Sequence, residues 1–109
     1  MQIIFETYRL EKRITNTSKR IRVYGSLVSN GIYLRLSELQ VANNLSEISN
    51  FPPSRLHLLV GNFRGCYAVN VTKNVRMIFK GLNQGGVATL VKANVVKILI
   101  KEISDYHDK

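Results

Sequence analysis

Two histidines and one arginine are the residues of this chain best suited to reaction chemistry. His57 and His107 are the only histidines in the sequence, and imidazole transfers protons well because its pKa lies near neutrality. Arg76 keeps its charge and can donate to two phosphate oxygens at once. An acid, a base and a cation together can promote attack of a hydroxyl group on a phosphate diester.

The segments that must position these residues have the alternating pattern of β-strands. In the run 55–60, apolar residues alternate with others, so His57 points away from the buried face. The predicted buried positions of this run are Leu56, Leu58 and Val60. The runs 66–71 and 75–79 alternate in the same way and predict two further strands, the second of which carries Arg76.

The loop between the last two runs decides whether their apolar residues share one face. A two-residue loop at 73–74 would put them on opposite faces, whereas a three-residue loop at 72–74 pairs Val71 with Val75 and merges them. We expect the three-residue loop, because it builds one continuous apolar face. Such a loop calls for a residue at positive φ, and Asn74 is the best candidate.

This register predicts a site on the open face of the sheet. Arg76 then lies opposite Asn70, on the face that also carries Ala68 and His57. In the last predicted strand, uninterrupted alternation would place five residues on that same face: Lys97, Lys101, Ile103, Asp105 and His107. We therefore expect a polar floor that brings a cation and two imidazoles together and leaves room for a ligand.

The first half of the chain is predicted to be mainly helical. Residues 2–6 read as a short strand, and Thr7 precedes a brief helix. Between 26 and 44 the apolar residues recur every three or four positions, as in an amphipathic helix that lies on the sheet. These residues are Val28, Ile32, Leu36 and Leu39. The predicted fold class is α+β, with N-terminal helices packed on a small twisted antiparallel sheet.

The segment 16–22 is polar and lacks apolar periodicity, so we expect a loop there. Its cations include Lys19 and Arg20. They are placed to contact phosphates, although a solvated basic loop is the commoner explanation.

The composition limits the class of protein. A chain of 109 residues with 45% hydrophobic residues is expected to fold as a single domain over 1–109. Sixteen Lys and Arg against seven acids give a net charge of +9, which favours a polyanionic or acidic partner. This charge does not separate RNA, DNA, an acidic protein and a membrane surface.

No targeting segment or metal site is evident from the sequence. No apolar run reaches the about 18 residues of a spanning helix, so we expect a cytoplasmic protein without membrane contact. Cys66 is the single cysteine and is expected to be a small buried residue. Two distant histidines and one cysteine do not form a recognised metal-ligand set, so we expect no metal and no cofactor.

Three separated segments match a known family in order and spacing. They read RLHLLVG from 55 to 61, GCYAVNV from 65 to 71 and KNVRMIF from 73 to 79, and Asp105-Tyr106-His107 closes the pattern. With these segments the chain resembles the HigB branch of the RelE/ParE toxins. It departs from that branch at Val60, where members often have lysine.

The resemblance implies a ribosome-dependent endoribonuclease. Such an enzyme cuts mRNA without a metal, by activating the 2′-hydroxyl for attack on the adjacent phosphorus, and so inhibits translation. The family's catalytic positions fall on His57, Arg76, Asp105, Tyr106 and His107. Contacts to RNA are expected at Asn74, Lys19, Arg20, Lys97 and Lys101, where a lysine can replace the one missing at position 60.

The resemblance also implies partners. A helix-turn-helix antitoxin similar to HigA would neutralise the toxin, and operator DNA would be contacted only through the antitoxin complex. Two other functions remain open at this point. One is a ParE-like toxin that acts on DNA gyrase, against which the histidines argue. The other is a non-catalytic basic module that binds nucleic acid, for which the charge alone is sufficient.

Overall fold

The computed structural model describes residues 1–105 and shows a helix layer packed on one sheet. The helices are α1 (Tyr8–Thr15), α2 (Thr17–Tyr24) and α3 (Ser26–Val41). The strands are β1 (Gln2–Phe5), β2 (His57–Leu58), β3 (Tyr67–Asn70), β4 (Val75–Leu82) and β5 (Lys97–Asp105). Their order in the sheet is β1-β5-β4-β3-β2. The α+β class is confirmed.

One pair of strands departs from the antiparallel arrangement. β1 runs parallel to β5, whereas the other neighbouring strands are antiparallel. After β1 the chain passes through the helix layer before it re-enters the sheet at the opposite edge. Parallel strands cannot be joined by a tight turn and need a long connection of this kind. Because the sheet contains both parallel and antiparallel pairs, it is mixed.

Helices α1 and α2 begin at side-chain caps. Thr7 Oγ1 accepts a hydrogen bond from Leu10 N at 3.1 Å, and Asn16 Oδ1 accepts one from Lys19 N at 2.9 Å. The expectation of a loop over 16–22 is therefore wrong. The apolar periodicity is missing because an arginine, Arg20, occupies the buried position of α2.

Arg20 connects the three helices. Its side chain is 8% exposed, and Nε donates to Ser29 Oγ in α3 while Nη1 donates to the carbonyl oxygen of Ile14 in α1, both at 2.8 Å. The guanidinium also lies 5.8 Å from the ring centre of Tyr33. The expected contact of Arg20 with RNA does not fit this position, because the charge is buried and its donors are bonded within the helix layer.

Helix α3 covers the sheet as its periodicity predicts. Ile32 and Leu39 are completely or almost completely buried, and Val28 and Leu36 pack against the same core. At Gly31, an added Cβ would lie 2.8 Å from Val71 Cγ1 and closer still to the carbonyl oxygen of Val71. The missing side chain thus allows the helix backbone to approach the end of β3.

The register of the β3–β4 hairpin is confirmed. Asn70 lies opposite Arg76, and Val71 N donates to the carbonyl oxygen of Val75 at 2.8 Å. The expected positive φ at Asn74 is wrong. Instead, Thr72 Oγ1 accepts hydrogen bonds from the backbone N–H groups of residues 74 and 75 at 3.3 and 3.2 Å, which holds the loop by a side-chain contact.

The predicted strand over 55–60 is much shorter than expected. Leu56 is buried as predicted, since it is only 3% exposed. Leu58 and Val60, however, are 48% and 85% exposed. β2 is an edge strand of two residues, and the chain leaves the sheet after it to form a single 3-10 turn over Gly61–Phe63. The next buried residue is Leu59, so the expected burial of Leu58 and Val60 is wrong.

A β-bulge in β5 changes which residues of the last strand lie on the core face and which lie on the open face. Ile78 pairs with Glu102 but Phe79 pairs with Ile100, so Lys101 is an extra residue. Beyond the bulge, Ile103 and Asp105 pair with the core-facing residues of β4 and not with the open face. The predicted placement of Ile103 and Asp105 is therefore wrong, and Tyr106 and His107 lie outside the described residues.

Within residues 1–105, none of the helices has the length and apolar character that crossing a membrane requires.

Substitution of Gly31 by alanine tests the close approach of α3. Although alanine normally favours a helix over glycine, we expect Gly31→Ala to lower the free energy of unfolding by roughly 1–3 kcal/mol, because the added methyl group overpacks the contact with Val71. Urea denaturation measures this change. Gln40→Ala, at an exposed position of the same helix, is the control and should stay within about 0.5 kcal/mol. A Gly31→Ala chain as stable as the natural one would contradict the packing.

Substitution of Arg20 tests its structural role. Arg20→Ala leaves Ser29 Oγ and the carbonyl oxygen of Ile14 without their donor, so we expect a loss of roughly 2–3 kcal/mol in the free energy of unfolding. The matched variant is Arg22→Ala, in the same helix but exposed, with an expected change below about 0.5 kcal/mol. Equal stability losses in thermal or urea unfolding would show that burial of Arg20 does not matter.

Candidate functional site

The face of the sheet opposite the helices carries the predicted histidine and arginine. His57 pairs with Ala68, and Ala68 pairs with Ile78. Arg76 lies two residues before Ile78 in β4, so it shares the face of His57. By strand spacing, their Cα atoms are roughly 12 Å apart, within reach of one extended nucleotide segment.

Backbone contacts orient the imidazole of His57. Its Nδ1 lies 2.8 Å from the carbonyl oxygen of Arg55 and 3.3 Å from Nη1 of the same residue. A carbonyl oxygen only accepts hydrogen bonds, whereas a guanidinium only donates them. Because the carbonyl contact is the shorter of the two, we assign the ring hydrogen to Nδ1. Nε2 is then the nitrogen with a lone pair, which suits it to receive a proton from a substrate.

The backbone at Arg55 makes this contact possible. Arg55 is the one non-glycine residue at positive φ in the described part of the chain, with φ of 49°. Its N–H donates to the carbonyl oxygen of Phe51 at 2.9 Å, and the carbonyl oxygen of the preceding Ser54 accepts from Asn70 N at 2.7 Å. The turn before β2 is thus tied to β3, and we infer that the left-handed residue directs its carbonyl group back toward the ring of His57.

Arg76 lies in the middle of the sheet, between polar residues of its two neighbouring strands. It is directly opposite Asn70 on β3 and Ser104 on β5. Its side chain is half-buried, and both its Nε and the Asn70 Oδ1 are shielded from solvent. A charge in such surroundings acts more strongly on a bound anion than one in open water.

The floor of this face is apolar, contrary to the polar floor expected from the sequence. Four buried residues form a small second cluster there, with Phe63 packed against it: Leu59, Cys66, Ala68 and Ile78. Cys66 is buried, as expected. His57 and Arg76 therefore lie at the border of an apolar patch on which a nucleobase or another flat group can rest.

The residues predicted to contact RNA do not all meet at this face. Asn74 is two residues from Arg76, at the tip of the hairpin. Lys97 pairs with Leu82 at the far end of β4, roughly 20 Å from Arg76 by strand rise. Lys101 forms an ion pair with Glu6 at 2.5 Å. Lys19 lies in α2, in the helix layer.

Several polar residues on this face are not among the sequence-predicted site residues. Glu102 and Ser104 lie on this face because the bulge at Lys101 exchanges the two faces for the rest of β5. No local sequence signal reveals that exchange. Lys80 belongs to the same face by simple alternation with Arg76 and could have been identified from the sequence.

A tyrosine on the opposite side has a structural role. Burial raises the pKa of Tyr67, and its hydroxyl donates to the carbonyl oxygen of Leu90 at 3.1 Å. Its ring stacks on Phe79 with centroids 6.0 Å apart. Tyr67 therefore stays protonated at neutral pH and belongs to the core.

This arrangement is suited to chemistry on a phosphate diester. One imidazole nitrogen is available to accept a proton, and one arginine can neutralise charge that develops on phosphate oxygens. Among residues 1–105 there is no group of three His, Cys, Asp or Glu side chains that could hold a metal ion.

Comparison with known proteins identifies the family of this chain. A family model described as the RelE-like toxin HigB of type II toxin-antitoxin systems matches residues 5–93. No curated protein matches the chain by sequence.

Solved structures share the fold at low sequence identity. A YoeB/ParE toxin from Agrobacterium tumefaciens has a TM-score of 0.60 at 8% identity and covers 98% of this chain and 100% of its own. The YoeB-YefM complex from Staphylococcus aureus matches with a TM-score of 0.57 at 13% identity, over 98% of this chain and 97% of that one. The family match extends over most of the chain, and this protein therefore belongs to the HigB-like toxins, a RelE-like family of type II toxin-antitoxin systems.

Proposed function

We propose that this HigB-like toxin is a ribosome-dependent endoribonuclease that cleaves mRNA and so stops translation in the cytoplasm. The observation that carries the proposal is the shared face of His57 and Arg76, with Nδ1 of His57 at 2.8 Å from a backbone carbonyl oxygen. The family membership supports the same activity.

In the proposed reaction the RNA supplies its own nucleophile. The 2′-hydroxyl loses its proton to a base, its oxygen attacks the adjacent phosphorus, and the bond to the 5′-oxygen breaks. A general acid protonates that 5′-oxygen. The products are a 2′,3′-cyclic phosphate and a 5′-hydroxyl, and neither a metal nor a cofactor takes part.

Each side chain has a proposed role in this reaction. His57 exchanges a proton at Nε2 and Arg76 stabilises the charge on the phosphorane oxygens, as a preorganised cation does. Asn74 contacts the RNA beside Arg76. A second proton-transfer group is proposed at His107, with Asp105 and Tyr106 beside it in the chain.

A protein with this activity requires an inhibitor, and we propose a helix-turn-helix antitoxin similar to HigA. The S. aureus neighbour is described as a complex of YoeB with YefM. In this chain, α3 exposes Leu27, Leu34 and Val41 at seven-residue spacing, with exposed fractions of 77%, 43% and 84%. Apolar residues aligned on one side of a helix are typical of a surface that a partner covers. Operator DNA would be bound only through the antitoxin complex.

Removal of the imidazole tests the proposed acid-base chemistry. We expect His57→Ala to lower the rate of mRNA cleavage on purified ribosomes by roughly 10²–10⁴-fold, because a positioned proton-transfer group contributes that much. Single-turnover cleavage with mapping of the new 5′-ends measures the rate. The matched control is Leu58→Ala, because this neighbouring side chain is on the other face and should leave the rate within a few-fold. Equal rates for His57→Ala and the natural chain would exclude His57 as a catalytic residue.

Replacement of the nucleophile tests the reaction from the side of the substrate. A 2′-deoxy nucleotide at the mapped cleavage position should abolish cleavage there, since no hydroxyl remains to attack the phosphorus. The same substitution one nucleotide away is the control and should leave cleavage intact. Cleavage at the deoxy position would contradict the mechanism. Inhibition of DNA supercoiling by gyrase, with mRNA left intact, would instead support the ParE-like function.

A further inference from the structure

A second concentration of positive charge lies in the helix layer, away from the site on the sheet. A groove of about 430 Å³ runs between α1 and α2, and we call it the α1-α2 groove. In the part of the chain that the structure describes, five cations line it together with Tyr8 and Val23. The cations are Arg9, Lys12, Arg13, Lys19 and Arg22.

No carboxylate of residues 1–105 lines this groove. The two ion pairs found within residues 1–105 involve other residues, since Arg35 pairs with Glu38 and Lys101 with Glu6. Arg9 and Arg13 are four residues apart on one helix. Like charges at this spacing destabilise the helix when no ligand is bound. A bound polyanion would remove this repulsion.

The groove is far from the proposed catalytic residues. Helix α1 directly follows β1 and contacts it, whereas His57 is on β2 at the opposite edge of the five-stranded sheet. Four strand spacings separate the two edges, or roughly 19 Å. One continuous RNA molecule or a ribosome can therefore contact both places, but a single nucleotide cannot.

We propose that the α1-α2 groove binds the phosphodiester backbone of RNA without regard to base sequence. The proposal deepens the proposed function and depends on it for the choice of RNA as the ligand. Cations at this density neutralise consecutive phosphates and release their counterions, which is the main source of sequence-independent binding. The groove would thus hold the toxin on RNA, while the sheet face carries out the chemistry.

The lining residues favour a nucleic acid over an acidic protein segment. A protein partner gains most of its affinity from apolar anchors buried in pockets, and the groove offers few apolar side chains. Tyr8 is 72% exposed, and Lys12 Nζ lies 5.5 Å from the centre of its ring. An exposed aromatic ring among cations is typical of surfaces that bind single-stranded nucleic acid.

Not all of the groove cations are equally available. Arg13 donates a side-chain hydrogen bond to the hydroxyl of Tyr24, so its removal would disturb the fold as well as the charge. Arg9 and Arg22 are both exposed and lie on different walls of the groove. They are the residues to change.

The test compares two double variants with the same loss of charge. Arg9→Gln with Arg22→Gln removes two groove cations. Arg64→Gln with Lys92→Gln removes two cations outside the groove and outside the proposed catalytic site. The ligand is a fluorescent 2′-O-methyl RNA of about 30 nucleotides, which carries the phosphates but lacks the attacking hydroxyl, so binding is measured whether or not the chain cleaves RNA. Fluorescence anisotropy at several salt concentrations gives the affinity and its salt dependence.

We expect the groove variant to bind this RNA more weakly and to reduce the slope of log K against log salt by about 1.4, since each lost contact with a single strand contributes about 0.7. The control variant should keep most of the natural slope. Equal slope changes in the two variants would overturn the proposal, because net charge alone would then account for binding. Circular dichroism before and after thermal unfolding verifies that both variants fold.

A second measurement identifies the source of the RNA. Co-sedimentation with purified ribosomes that carry no mRNA should be weakened in the groove variant if the groove binds ribosomal RNA, whereas weakening only with the free oligonucleotide would assign the groove to mRNA. Either result supports an RNA site. A groove variant that binds both RNAs normally but loses an acidic peptide such as polyglutamate would overturn it in favour of a protein partner. Loss of cleavage in His57→Ala concerns the sheet site alone, so the two proposals fail separately.

Discussion

The register of the β3–β4 hairpin is the constraint on which the rest of the structure depends. With Asn70 opposite Arg76, the apolar residues of both strands share one face, and α3 packs on it. The same register leaves His57 and Arg76 together on the other face. A slip by one residue would exchange the faces of one strand and bury a guanidinium in the core. Fold stability and the candidate site therefore depend on the same backbone hydrogen bonds.

The bulge in β5 has the next largest consequence. The extra residue, Lys101, lets the strand pair with β4 on both sides of the irregularity while the side chains beyond it change faces. Ser104 is thereby placed beside Arg76, and Lys101 lies within reach of Glu6 after β1. A regular strand would have put Ile103 in water and left the core short of one apolar side chain.

The positive charge is divided among three uses, which the total of +9 does not reveal. Arg20 and Arg35 are buried and bonded to serines, so they hold helices and loops in place. Arg76 lies in partly shielded surroundings at the centre of the open face. In the α1-α2 groove, Arg9, Lys12 and Arg22 are exposed, and no carboxylate of residues 1–105 lines the groove. Burial determines the use, because a shielded guanidinium must satisfy its donors internally, whereas an exposed one is free to meet a ligand.

The local sequence pattern was sufficient to predict some features of the structure but not others. Alternation and helical periodicity correctly predicted the amphipathic α3, the face of His57 and the pairing of Asn70 with Arg76, because these depend on neighbouring residues and a short loop. The burial of Arg20 in α2, the exposure of Leu58 and the bulge at Lys101 depend on contacts between different elements of the structure. An arginine becomes a core residue only where Ser29 and the carbonyl group of Ile14 meet it. Likewise, a strand residue is buried only if another layer covers it, and that is decided by tertiary packing.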